Sequence, residues 1–420
     1  MVVGEDFTEP VGRTGVCRSM SRFRTPSLLV LLCTLSCGDE SSSLPTGPAD
    51  STSDASGSLG ATPHGDSPFG VQVGTHPGME GSLYSVDTFP VSQIISAVAK
   101  DAIPAITDPP MVAAGQTGYL MADAVVFGVV IDGEARAYPH NVGWWHEIVN
   151  DQINGQAFSV TFCPLTGTGM VYDGGDADAE QRLTLGVSGL LYSTNLVMYD
   201  RRDGESLIPQ IFSTTVSGPR KGETLSLMPV VETTWQMWRQ LYPETLVMAP
   251  GPYDTRRYLV YPYNNYRVNH TEFLFPTDPS LGANPNPHIS RYGFEERVLG
   301  LRIDGVTRAF AFAEMGSAQR VINDTVNGLG FLVAWDPDSR MAIPYSTTVD
   351  GRDLTFRLDT EAGVVPFGMR DEETGTLWDV KGQALTGELA GQRLTQLPAH
   401  NSMWFAWVSF WPATEIWQSP

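Results

Sequence analysis

The sequence predicts a mainly β fold with a few short helices (α+β), built as two diverged copies of one hairpin-rich unit packed with pseudo-twofold symmetry. Three observations carry this expectation. Residues 126–162 read VFGVVIDGEARAYPHNVGWWHEIVNDQINGQAFSVTF, and residues 298–335 read VLGLRIDGVTRAFAFAEMGSAQRVINDTVNGLGFLVAW. Self-similarity at such a spacing is the mark of duplication. Both stretches carry turn signals at matching places: Asp132-Gly133 and Asp304-Gly305, then Asn154-Gly155 and Asn327-Gly328. Such dipeptides favour two-residue hairpin loops, which need positive φ at both positions. The parallel continues downstream, where SGPRKGETLSLMP is matched by TGELAGQRLTQLP, each followed by an aromatic segment.

Around Asn154-Gly155 the residues alternate as in strands. Val149, Ile153, Phe158, Val160 and Phe162 share one face, and Asn150, Gln152, Ser159 and Thr161 the other. Ile148 and Asp151 break the pattern. The aromatic segments Trp235 to Leu241 and Trp404 to Phe410 read as short amphipathic helices.

The chain begins differently. From Met20 it reads MSRFRTPSLLVLLCTLSCGDE, with Arg22 and Arg24 before a short apolar run. That run is too short to span a bilayer and reads as a signal peptide. Thr34-Leu35-Ser36-Cys37 resembles a bacterial lipobox, which implies cleavage and lipidation at Cys37. Residues 38–83 are rich in Ser, Gly, Pro and Thr and read as a flexible tether. The expected divisions are 1–37 signal, 38–83 tether, 84–250 repeat one with the functional site, 251–297 connector, and 298–420 repeat two with a degenerate site. The expected setting is an exported, membrane-anchored lipoprotein of the periplasm or outer surface.

A formal net charge of -21 over 420 residues opposes binding to phosphate backbones. Lysine occurs only at Lys100, Lys221 and Lys381, so no basic patch can be built from it and no nucleic-acid partner is expected. The cysteines are Cys17, Cys33, Cys37 and Cys163. A single thiol in the body excludes a disulfide framework there.

Continuing the hairpin register outward from Asn154-Gly155 sets His146 opposite Cys163, at a spacing of about 4.5–5.5 Å between cross-strand Cβ atoms. One bulge would break this register. The same count in repeat two sets Gln319 opposite Asp336, so the hairpin persists there without the thiol and imidazole. A neighbouring His can activate a thiol, and the two together are soft-metal ligands for copper or zinc. His140 and Glu147 would complete such a metal site, although strict alternation puts Glu147 on the other face. The inert reading is a buried Cys beside a hydrogen-bonded His. Other motifs fail: His146-Glu147 lacks the second histidine of a zincin, and the glycines near Ser188 and Thr168 fit neither a nucleophile elbow nor a dinucleotide loop. His270, His288 and His400 stand alone and read as structural.

The stretches DAIPAITDP, GEARAYP, HEIVND, TFCPLTGTGMVYD, GVSGLLYSTNLVMYD and TTWQMW carry a resemblance. The chain resembles the domain-of-unknown-function family 3179. The label implies no activity. The family pattern reads CPLC where this chain has Cys163-Pro164-Leu165-Thr166, so Thr166 removes intramolecular dithiol chemistry. Ser188, Asn195 and Tyr199 fall in matching motifs as cleft candidates. Three readings follow: a binder of a soft metal ion or small ligand around His146 and Cys163; a thiol-dependent hydrolase or transferase with Cys163 as nucleophile and His146 as base; or a structural envelope protein.

Overall fold

The computed structural model describes residues 85–251, 255–268 and 290–420. Cys37, the signal-like segment, the tether, His270 and His288 lie outside the described residues. The fold is mainly β, with four short α-helices among the described residues: α1 (His140–His146), α2 (Trp235–Leu241), α3 (Phe312–Met315) and α4 (Trp404–Phe410). Both expected helices are present. α4 is not amphipathic, however: all of it but Ser409 is buried, packed into a core shared with Leu165, Val187 and Leu196.

All four turn dipeptides adopt the expected conformation, with φ of 49° and 84° at Asp132-Gly133, 50° and 84° at Asn154-Gly155, and similar values at Asp304-Gly305 and Asn327-Gly328. The strands they join pair in closely similar orders in each half. In the first half Val231–Thr234, Val125–Ile131, Glu134–Pro139 and Leu246–Met248 lie side by side, the last pair parallel. In the second half Ala399–Met403, Arg297–Ile303, Val306–Ala311 and Glu415–Ile416 repeat that order and that parallel pairing. A second sheet contains Ile148–Ile153, Gln156–Cys163 and Thr168–Asp176 in one half, and Arg320–Val326, Leu329–Asp336 and Met341–Ser346 in the other.

The motif shared by the two halves has a structural explanation. In the first, Asn150 brackets one residue of a neighbouring sheet, donating to the Leu185 carbonyl at 3.0 Å and accepting from its N–H at 2.8 Å. Asn323 brackets Phe356 in the same way, at 2.7 and 2.9 Å. The following aspartates also match. Asp151 takes Arg136 at 2.9 Å and the Tyr138 hydroxyl at 2.7 Å, while Asp324 takes Arg308 at 2.8 Å. Asp151 therefore sits on an apolar face because two donors meet it there. The opposite face is no solvent face. Ser159 donates to Asn150 at 2.7 Å and Gln210 donates to Thr161 at 2.9 Å, so its polar groups are buried and paired.

Each half also grips the other. The Thr234 N–H donates to the Ser339 carbonyl at 3.1 Å, and the Met403 N–H donates to the Thr166 carbonyl at 2.7 Å. The turn carrying Cys163 and Thr166 is therefore held from across the junction.

Candidate functional site

The first hairpin pairs in the expected register without a bulge, from Ile153↔Gln156 to Ile148↔Thr161. The second does the same, from Val326↔Leu329 to Arg320↔Trp335. One step beyond the second ladder, Gln319 donates to the Asp336 carboxylate at 2.8 Å, as register alone would have it.

The first hairpin departs at that step. α1 runs seven residues, against four for α3, and carries the chain through His146 in helical form. Glu147 then turns it into the strand at φ 57° and ψ -35°, with its N–H returning to the Gly143 carbonyl. The Phe162 N–H donates to the Glu147 carbonyl at 2.6 Å. The completely buried His146 ring is consequently directed elsewhere: Nδ1 lies 2.8 Å from the Pro104 carbonyl and Nε2 2.9 Å from the Tyr258 hydroxyl. Cys163 Sγ accepts from the Leu196 N–H at 3.4 Å and lies 3.7 Å from the Thr194 carbonyl. The cross-ladder partners read from the sequence are thus committed to different neighbours, because a helix ends where a strand residue was counted.

Nor does the wider set converge. His140 opens α1 between the rings of Phe127 and Phe162, at centroid distances of 4.2 and 4.4 Å, with Nε2 3.9 Å from Glu232. Among the described residues no three His, Cys, Asp or Glu side chains are arranged to hold a metal ion. Ser188 bonds the Val197 carbonyl across its own hairpin, and Tyr199 donates to Asp101 at 2.9 Å, away from the thiol. Asn195 does approach, donating to the Thr166 hydroxyl at 3.1 Å and to Gln210 at 2.9 Å.

The ionisable group that acts on Cys163 is Glu147. Burial, followed by this carboxyl, pushes the thiol up to about 11, and hydrogen bonding from Thr166 and Leu196 offsets only part of that. Such a thiol is on the order of one part in ten thousand thiolate at pH 7. Iodoacetamide at that pH should therefore leave the Cys163 peptide unmodified in the native protein and modify it after denaturation, as read by peptide mass spectrometry. Native labelling at the rate of an ordinary free cysteine would contradict this.

Glu147 is itself unusual. It is 7% exposed, with no hydrogen bond to its carboxyl among the described residues, and burial pushes it up to about 8. It is therefore a neutral acid at pH 7, on a backbone conformation that costs a non-glycine residue about 1–3 kcal/mol.

Residues 255–268 of the connector pack against this region. Tyr258 meets His146, and the Tyr266 hydroxyl donates to the Leu165 carbonyl at 2.7 Å. Between these latches stand the half-buried Tyr261 and Tyr263, ring centroids 5.7 Å apart, with Trp144 of α1 5.1 Å from Tyr261. The Arg267 guanidinium lies 4.8 Å from the Tyr261 ring and 5.6 Å from Trp144. The hydroxyl of Tyr261 and the indole N–H of Trp145 are buried without hydrogen-bond partners among the described residues. At the junction side, Arg297 pairs with Glu232 at 2.7 Å and donates to the Gly167 carbonyl.

A model of the family described as "Protein of unknown function (DUF3179)" matches residues 100–414. The chain belongs to this family. No curated protein matches it, and no solved structure does. In this DUF3179 chain Thr166 is completely buried and its hydroxyl acts on the Cys163 thiol, so the place read as Cys in the family pattern adjoins the one thiol of the described residues.

Sequence reasoning gave Glu147 only a secondary role and read 251–297 as a bare connector. A signal was present in residues 255–268, TRRYLVYPYNNYRV, which hold four tyrosines and three arginines and no acid, inside a chain of net charge -21.

Proposed function

We propose that this DUF3179 protein binds a small molecule in a cleft between the Cys163–Thr166 turn, α1 and the connector, without thiol chemistry. The observation that carries the reading is Glu147: a buried carboxyl with no hydrogen-bond partner among the described residues, held on a strained backbone beside the cysteine turn and near Tyr263. Folding gains nothing from such a group, whereas a neutral acid in a sheltered site donates and accepts hydrogen bonds at neutral pH. The Tyr261 hydroxyl and Trp145 N–H, without partners among the described residues, supply two further polar points, and Trp144, Tyr261 and Tyr263 supply aromatic walls. Aromatic walls with a few convergent polar groups are the usual make-up of a ligand pocket. The thiol-dependent reading is disfavoured by the raised thiol and by His146 being engaged at both ring nitrogens.

Ligand-observed NMR with a library of small organic fragments tests the reading. Saturable hits on the native protein should disappear in Trp144→Ala and Tyr261→Ala, with circular dichroism unchanged. No hit, or hits indifferent to both substitutions, would overturn it.

A further inference from the structure

Resting on that cleft, we propose that its ligand is a small planar organic monoanion, an aromatic carboxylate in the simplest form, whose charge is set against Arg267. The geometry supplies both parts of this assignment. Trp144, Tyr261 and Tyr263 present rings edge to face at 5.1 and 5.7 Å, with interplanar angles of 73° and 69°. All three rings are half-buried, so a further flat ring would pack on their exposed parts, because aromatic edges and faces attract. Arg267 lies over two of these rings and has no carboxylate within ion-pair distance among the described residues. A guanidinium on aromatic faces is a cation, and no carboxylate of the described residues pairs with this one.

The neighbours reinforce the sign. Arg297 is balanced by Glu232, leaving that pair neutral. Burial holds Glu147 up to about 8 and Glu295 up to about 7, so neither carries a full negative charge near neutrality. His140 and His146 are held neutral, chiefly by burial. The cleft is thus cationic within a strongly acidic protein. A cationic ligand meets repulsion there, and an uncharged one leaves Arg267 unused.

A second charged region is less suited. It is an open depression of about 460 Å³ among Thr107, Arg182, Arg201 and Arg202. Two of its arginines are paired with carboxylates, Arg182 with Asp108 at 3.5 Å and Arg202 with Asp200 at 2.5 Å; Arg201 donates to the Thr107 hydroxyl at 3.1 Å, and Glu180 lines the same depression.

Benzoate, benzamide and benzylamine share one ring and differ in charge. Titrating each against the native full chain, with tryptophan fluorescence and calorimetry as readouts, tests the assignment. Benzoate should bind at least about tenfold more tightly than benzamide, the size of a charge-assisted hydrogen bond, and benzylamine more weakly than either. Arg267→Gln should bring the benzoate and benzamide affinities to within about twofold of each other, whereas misfolding would abolish both. Equal affinity for benzoate and benzamide would overturn the anion assignment while leaving the cleft intact. Absence of binding by all three would overturn the planar-ring assignment, and the fragment screen then judges the cleft separately.

Discussion

Trp238→Ala and Trp407→Ala should each lower the free energy of unfolding by about 3–5 kcal/mol, the usual range for removing a buried tryptophan. Both side chains are fully buried. The fit around each is close in the same manner. A Cβ added at Gly128 would come 2.1 Å from the Trp238 ring, and one at Gly300 would come 2.1 Å from the Trp407 ring. Each indole thus lies flat on a strand where only glycine leaves room. Each N–H is also satisfied: Trp238 donates to Thr245 at 2.9 Å, and Trp407 donates to Thr414 at 3.0 Å. Truncation would open a cavity, expose a strand backbone and leave a threonine hydroxyl without its donor. The midpoint of urea unfolding measures the effect, and a loss under about 1 kcal/mol at either site would show that the ring is not a keystone. Gly128→Ala and Gly300→Ala should also destabilise, because the added methyl must displace an aromatic ring that has no space to move into.

Much of this was legible in the sequence. The dipeptides Asp132-Gly133 and Asn154-Gly155 set the hairpins, because two adjacent positive φ angles suit few residues. Hairpin register followed from turn length, and it held to the last pair in both ladders. What failed was the step after the ladder. Counting residues presumes an extended chain, and α1 shortens the chain by the rise of a helix, about 1.5 Å per residue in place of about 3.3 Å. Nothing in Pro139-His140-Asn141-Val142-Gly143 announced that helix; Gly143 is present because Phe162 leaves no room for a side chain, and a Cβ added there would come 2.9 Å from its ring. The candidate site was harder still. Its far wall comes from Tyr258 to Arg267, about a hundred residues from Cys163 in sequence, and no periodicity ties the two together. Glu147 was visible only as an acid in a strand pattern. Its significance lies in a backbone angle and in burial, and neither is written in residue identity.

Glu147 should also make the native protein less stable as pH rises from acid toward neutral, and this dependence should vanish in Glu147→Gln. The carboxyl stands at about 8 in the folded protein against an ordinary 4.5, raised by burial alone. Between those two pH values the unfolded chain has released the proton and the folded one retains it. The contribution is therefore fully present below pH 4.5 and is lost as pH rises through about 8, at about 1.4 kcal/mol per pH unit on the steep part. Going from pH 5 to pH 7 it amounts to about 2–3 kcal/mol, several degrees in melting temperature. Buried histidines act oppositely, since His140, His146 and His400 resist protonation and lose stability as pH falls. They are common to both proteins, so the difference between native and Glu147→Gln melting curves isolates the carboxyl. Glu147→Gly should go further, removing the charge and relieving the positive φ together, a gain of about 1–3 kcal/mol set against about 0.5–1 kcal/mol of glycine entropy. Both variants melting above the native protein at pH 7.5 is the outcome expected of a residue kept at a cost to stability, as binding groups are. Both melting below it would mean that Glu147 serves the fold, and the cleft would lose the group on which it depends.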